Sequence, residues 1–116
     1  MKERLEFIKE MESLFPDAFA QIDKYERGLL HCEMGAFRSY IEKKMDEGSE
    51  WYCEQAFRFI ESCLSQAGPN LENAIEVSFI YDLALGEHNE RRYKIVKERM
   101  PQSIRAKMVH IREFWK

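Results

Sequence analysis

The residues of this chain best equipped for chemistry stand side by side: His31, Cys32 and Glu33. A thiol beside an imidazole has the composition of a cysteine–histidine dyad, and the three together are ligand types of a zinc site. Their spacing argues against both. Adjacent residues on a helix point about 100° apart, so no shared proton or metal is set up. His88 and His110 stand alone, and no HExxH or ExxH pair occurs. Cys53 and Cys63 fall on an apolar helix face, where a thiol acts as a small hydrophobe. Neither a P-loop nor a GxGxxG sequence is present. The expectation is therefore no catalytic residue, no metal and no cofactor. A small hydrolase or metal enzyme built on His31, Cys32 and Glu33 is the weakest function class.

Charge carries the stronger signal. Residues 46–90 hold ten acidic side chains and one basic, while residues 91–116 hold nine basic and two acidic. The first forty-five residues nearly balance, so a net charge of −3 conceals two opposed blocks. Such asymmetry speaks to partners more than to fold. The acidic block meets either the basic tail of its own chain or a basic surface elsewhere. The tail, RRYKIVKERM followed by IRAKMVHIREFWK, has the composition of a nucleic-acid binder. The acidic chain and the apolar neighbours of those arginines argue against direct nucleic-acid contact.

The elements that position these side chains are helices. Only five glycines and three prolines interrupt 116 residues, and apolar side chains recur at i, i+3, i+4. The pattern predicts an all-α fold, a compact array of about seven short helices in one domain spanning 1–116. Helix one covers about 2–14, with Leu5, Ile8, Met11 and Phe15 inward. Helix two restarts at Pro16-Asp17 and runs to about Tyr25. Helix three, about 33–46, buries Met34, Phe37, Ile41 and Met45, and Gly48 stops it. Helix four runs from Ser49 to about Gln66. Asn70 caps helix five, about 71–85, which Gly86 closes. Helix six covers about 88–99, and Pro101 opens helix seven, about 101–115. Stacked helical hairpins follow, either a bundle or a HEAT-like array.

Helix four is the most amphipathic. Tyr52, Cys53, Ala56, Phe57, Phe59, Ile60, Cys63 and Leu64 fill one arc, and Trp51 falls within the polar arc. Asp46, Glu47, Glu50, Glu54 and Glu61 crowd this region with only Arg58 among them. Two readings stand: a solvated face, or a docking face for a cationic partner anchored by Trp51. Trp51 alternatively folds over the Gly48 loop and completes the core. Helix five is apolar almost all round and should sit centrally, with Glu72 and Glu76 on one face. Asp82, placed near Leu71, Ile75 and Ser78, needs a partner, because an isolated buried carboxylate is costly. Arg92 and Arg99 on helix six, and Arg105 and Arg112 on helix seven, are the expected partners. The candidate binding residues are thus Asp46, Glu47, Glu50, Trp51, Glu54, Arg58, Glu61, Glu72 and Glu76.

The hydrophobic fraction of 45% supports a real core, and no apolar stretch approaches the roughly 20 residues of a membrane span. The charged start MKERLEFIKEMESLF lacks a signal-peptide core, and three cysteines without CxxC spacing suit a reducing compartment. A cytoplasmic location is expected.

The stretches LFPDAF, GLLHCEMGAFRSY, FRFIESCL, LENAIEVSFIYDLAL and MPQSIRAKMVHIREFW, nearly the whole chain, carry a resemblance. The chain resembles short all-helical bacterial proteins similar to immunity proteins of toxin systems, including contact-dependent growth inhibition. The resemblance implies a cytoplasmic inhibitor that binds one toxin, often a cationic nuclease, and it supplies no catalytic residue. An acidic face that plugs a basic nuclease cleft fits this role. The alternative is a helical adaptor for another cytosolic protein, without a toxin.

Overall fold

A computed structural model describes residues 1–85 and 89–114, with side chains as far as residue 111. Among the described residues the elements are α1 (Arg4–Leu14), α2 (Pro16–Phe19), α3 (Leu30–Asp46), α4 (Glu50–Gln66), α5 (Pro69–Ala74), α6 (Glu90–Arg99) and α7 (Gln102–Phe114). Between α5 and α6, Ile75–Tyr81 continues α5 as a π-helix. Among these residues, strand-like pairing is confined to one bridge between Lys2 and Ala67. The fold is all-α, as the apolar spacing requires.

α3 is the axis. It packs against α2, α4, α5, the π segment and α6, while α7 packs on the π segment. In a HEAT-like array each hairpin touches only its neighbours, so this is a bundle around α3. Met34, Phe37, Ile41 and Met45 are fully buried on it, as their spacing predicts. The apolar arc of α4 meets them: Cys53, Ala56, Phe57, Ile60 and Cys63 are fully buried and Phe59 nearly so. Rings interlock at the centre. Phe37 lies 6.4 Å from Phe7, 5.4 Å from Phe15, 5.8 Å from Phe59 and 6.0 Å from Phe79. The Cα radius of gyration, 13.2 Å, is that of a compact chain of this length.

Several boundaries differ from the sequence expectation. α1 turns Phe7 and Met11 inward, four residues apart, and leaves Leu5 64% exposed. The larger Phe7 ring outweighs Leu5 in setting the buried stripe. The second helix stops at Phe19, and residues 20–28 form turns, with Gly28 at φ +93°. That backbone suits glycine and leads into α3 three residues earlier than expected. Gly48, at φ +76°, ends α3 as predicted.

α5 begins at Pro69, and Asn70 is not its cap. The Leu71 N–H is taken by the Glu3 carboxylate at 2.9 Å, brought over by the N-terminal segment. That segment is pinned by Lys2 N–H to Gln66 O and Gly68 N–H to Lys2 O, both 2.7 Å. A Cβ at Gly68 would stand 2.7 Å from Glu3 Cδ, so a larger residue there would displace the Glu3 carboxylate. Helix five ends at Tyr81, short of Leu85; the expected closing Gly86 lies outside the described residues, as do His88 and Trp115. Leu71, Ala74, Ile75, Ser78, Phe79 and Ile80 are buried, so the segment is central as its apolar composition predicts.

Candidate functional site

His31, Cys32 and Glu33 open α3 and point apart. The His31 ring meets Ser78 Oγ through Nδ1 at 2.7 Å and Asn73 Nδ2 through Nε2 at 3.4 Å. Cys32 is exposed. Glu33 turns inward, 1% exposed, and accepts two 2.7 Å bonds from Arg4 and one of 3.1 Å from the Gly28 N–H. The three therefore share neither a proton nor a metal. His31 with Ser78 has the composition of a serine–histidine pair. Ser78 is only 8% exposed and sits in the π segment, so a substrate carbonyl has no approach to Oγ.

Burial pushes the Cys53 and Cys63 thiols up to about 12, which holds them as inert thiols. His110 is exposed. Among the described residues, no group of three His, Cys, Asp or Glu side chains is arranged to hold a metal ion. No helix described is long and apolar enough to cross a membrane.

The acidic block has a different fate. Asp46, at the end of α3, receives Arg92 in a fork, Nε and Nη2 each at 2.7 Å, with Asn89 Nδ2 at 3.3 Å. Arg92 also reaches the Ala84 carbonyl, and Arg91 the Asp46 carbonyl. On α4, Glu50 accepts from Arg99 at 3.0 Å, and Arg58 lies 3.4 Å from Glu54. Glu61 accepts from the Ser103 hydroxyl, and Glu47 lies 3.4 Å from Lys44. Glu76 in the π segment meets Lys107 of α7 at 2.7 Å. Glu72 is exposed. The arginines of the last helices do clasp acids, through Arg92 and Arg99.

Two expected pairs need correction. Asp82 is not buried; its side chain is 50% exposed and lies 3.5 Å from Arg38 of α3. A π turn closes i to i+5, so the α-helical register that placed Asp82 beside Leu71, Ile75 and Ser78 slips before residue 82. Arg105 meets no carboxylate among the described residues. It donates to the Lys97 carbonyl at 3.2 Å and to the Gln102 side-chain oxygen. The side chain of Arg112 lies outside the described residues.

Sequence reading missed Glu42, which links two of these clasps. Its carboxylate lies 3.6 Å from Arg38 Nε and 4.0 Å from Arg92 Nη1, and it accepts from the Ala84 N–H. The i, i+4 series Arg38, Glu42, Asp46 was the available signal. The Arg92 fork holds the Asp46 carboxyl below the usual aspartate range. A depressed carboxylate contributes stability above its unfolded pKa and loses it as pH falls through the folded value. Arg92→Ala is expected to cost about 1 kcal/mol at pH 7, the half-exposed carboxylate being partly screened. Urea unfolding should show that difference closing below about pH 4. A difference unchanged at low pH would show that the fork contributes packing alone.

What pairing leaves exposed is Trp51. It is 73% exposed in the first turn of α4, so it does not close the core over the Gly48 loop. The stripe Trp51, Gln55, Arg58, Ser62 follows helical spacing. Its later members line a groove of about 590 Å³ between α1 and α4, opposite Glu10 and Leu14. Leu14 is itself 60% exposed.

An all-helical bundle of this kind, with ion pairs such as Arg4–Glu33, Arg92–Asp46, Arg99–Glu50 and Lys107–Glu76 joining one helical segment to another, defines the class. The chain belongs to the family described as Domain of unknown function (DUF7674), whose model matches residues 6–116. No curated protein and no solved structure matches it.

Proposed function

We propose that this chain is an inhibitor of the immunity type, a cytoplasmic protein without catalysis of its own that binds and neutralises a cognate toxin. Exposed Trp51 carries the reading, because a large aromatic side chain on a rigid helix is costly to leave in water and is enriched among binding anchors. Exposed Glu72, with Glu47 and Glu54 in looser 3.4 Å surface pairs, suits a basic nuclease domain. Glu61 and Glu76 add to it if a cationic partner displaces Ser103 and Lys107. Asp46 and Glu50 contribute less than their charge suggests, being held by Arg92 and Arg99. Arg58 belongs to the same stripe and offers the partner a hydrogen-bond donor.

A second reading, a helical adaptor without a toxin, is favoured by the groove between α1 and α4. Its lining sets Leu14 and Phe59 beside charges of both signs, Lys2, Glu10 and Arg58, and suits a peptide without a strong net charge. Co-purification with a neighbouring gene's nuclease domain separates the two. Trp51→Ala is expected to weaken that complex about 30-fold, the effect of a hot spot of about 2 kcal/mol. Circular dichroism should remain unchanged, since the side chain is outside the core. Affinity untouched by Trp51→Ala would overturn the site, and failure of any nuclease domain to bind would overturn the immunity reading.

A further inference from the structure

α6 and α7 form a hairpin through Met100 and Pro101, and a groove of about 320 Å³ runs between them. Leu85, Val96 and Met108 form an apolar floor. Tyr93 and Val109, 50% and 55% exposed, stand along it on opposite helices. Apolar side chains this accessible on both walls of one groove make it a binding surface more than a solvated face.

Its charge is as distinctive as its floor. Arg92, Arg99 and Lys107 each meet a carboxylate. Lys97 and Arg105, which line the groove, have none within 4 Å among the described residues. Arg105 reaches only neutral oxygens, and its Nε–H has no acceptor there. Among the described residues, the basic tail therefore neutralises the acidic block through Arg92, Arg99 and Lys107, and holds Lys97 of α6 and Arg105 of α7 over the apolar groove.

From this juxtaposition we propose that the α6–α7 groove docks an acidic amphipathic segment of another protein, its apolar side chains on the floor and its carboxylates on Lys97 and Arg105. Such a segment, laid as a helix, would complete a three-helix layer. A nucleic-acid backbone fits poorly, because phosphates cannot cover an apolar floor and the chain is net negative. The surface is independent of Trp51, so its fate does not bear on the immunity reading.

The test uses the full chain, isotope-labelled for amide NMR, and two synthetic amphipathic helical peptides, one of leucine and glutamate and one of leucine and lysine. The glutamate peptide is expected to shift the amides of Tyr93, Val96, Lys97 and Val109 and to bind at least about tenfold more tightly than the lysine peptide. Lys97→Glu should abolish or reverse that preference, and Val109→Asp should weaken binding about tenfold. Lys97 is exposed, so its variant stays informative if Val109→Asp disturbs the hairpin. Equal binding of the two peptides, no binding of either, or shifts elsewhere on the molecule would overturn the proposal. A peptide-free dimer that Val109→Asp dissociates would overturn it too, assigning the groove to a second copy.

Discussion

Phe37→Ala is expected to destabilise the protein by about 4 kcal/mol, the cost of deleting a buried ring whose surroundings collapse only in part. Phe37 is fully buried and touches four other phenylalanine rings, from α1, its junction with α2, α4 and the π segment. Those rings are fixed by their own backbones, so the cavity cannot close by one side chain moving. Against a total of about 5–15 kcal/mol, such a loss is a large share of stability. A chain of this size should lose about 15 °C in Tm. Leu5→Ala supplies the contrast, because Leu5 is 64% exposed and should change stability by less than about 0.5 kcal/mol. Thermal unfolding of the two variants checks both, and comparable losses would refute the assigned centre of the core.

Removal of Arg4 is expected to cost more than removal of its partner's charge. Glu33 is 1% exposed, whereas the Arg4 side chain is a third exposed. Arg4→Ala strands a carboxylate in the interior with only the Gly28 N–H for company, at about 3 kcal/mol. Glu33→Gln keeps an oxygen for Gly28 and lets Arg4 turn outward, so about 1 kcal/mol is expected. Arg4→Lys should fall between, since an ammonium cannot reproduce the two-bond fork. Denaturant unfolding at pH 7 measures the order. Glu33→Gln as costly as Arg4→Ala would mean that the bonds, and not the buried charge, dominate.

The difference between what was legible and what was not follows the range of the interactions. Met34, Phe37, Ile41 and Met45, and the apolar arc of α4, repeat at helical spacing, so their burial was readable from the residues themselves. The same periodicity put Trp51 on the polar arc but left open whether it folds back over the Gly48 loop. Its 73% exposure was decided by the packing. Glu33, beside the apparent dyad of His31 and Cys32, instead belongs to Arg4, twenty-nine residues away. No local pattern announces such a pair. Asp82 was misplaced because an α-helical period was carried through a π segment. In the charge blocks, sequence showed two opposed reservoirs, and only their meeting in space settled which acids remained free.

The chain alone determined an all-α fold, the inward stripes of helices three and four and a tryptophan on the polar arc of helix four, because helical periodicity is a local property. Tertiary structure decided that Asp46 and Glu50 are clasped by Arg92 and Arg99, and that Lys97 and Arg105 are left over an apolar groove. Ion pairing depends on distances of a few ångströms between distant segments, and those are set only when the helices pack.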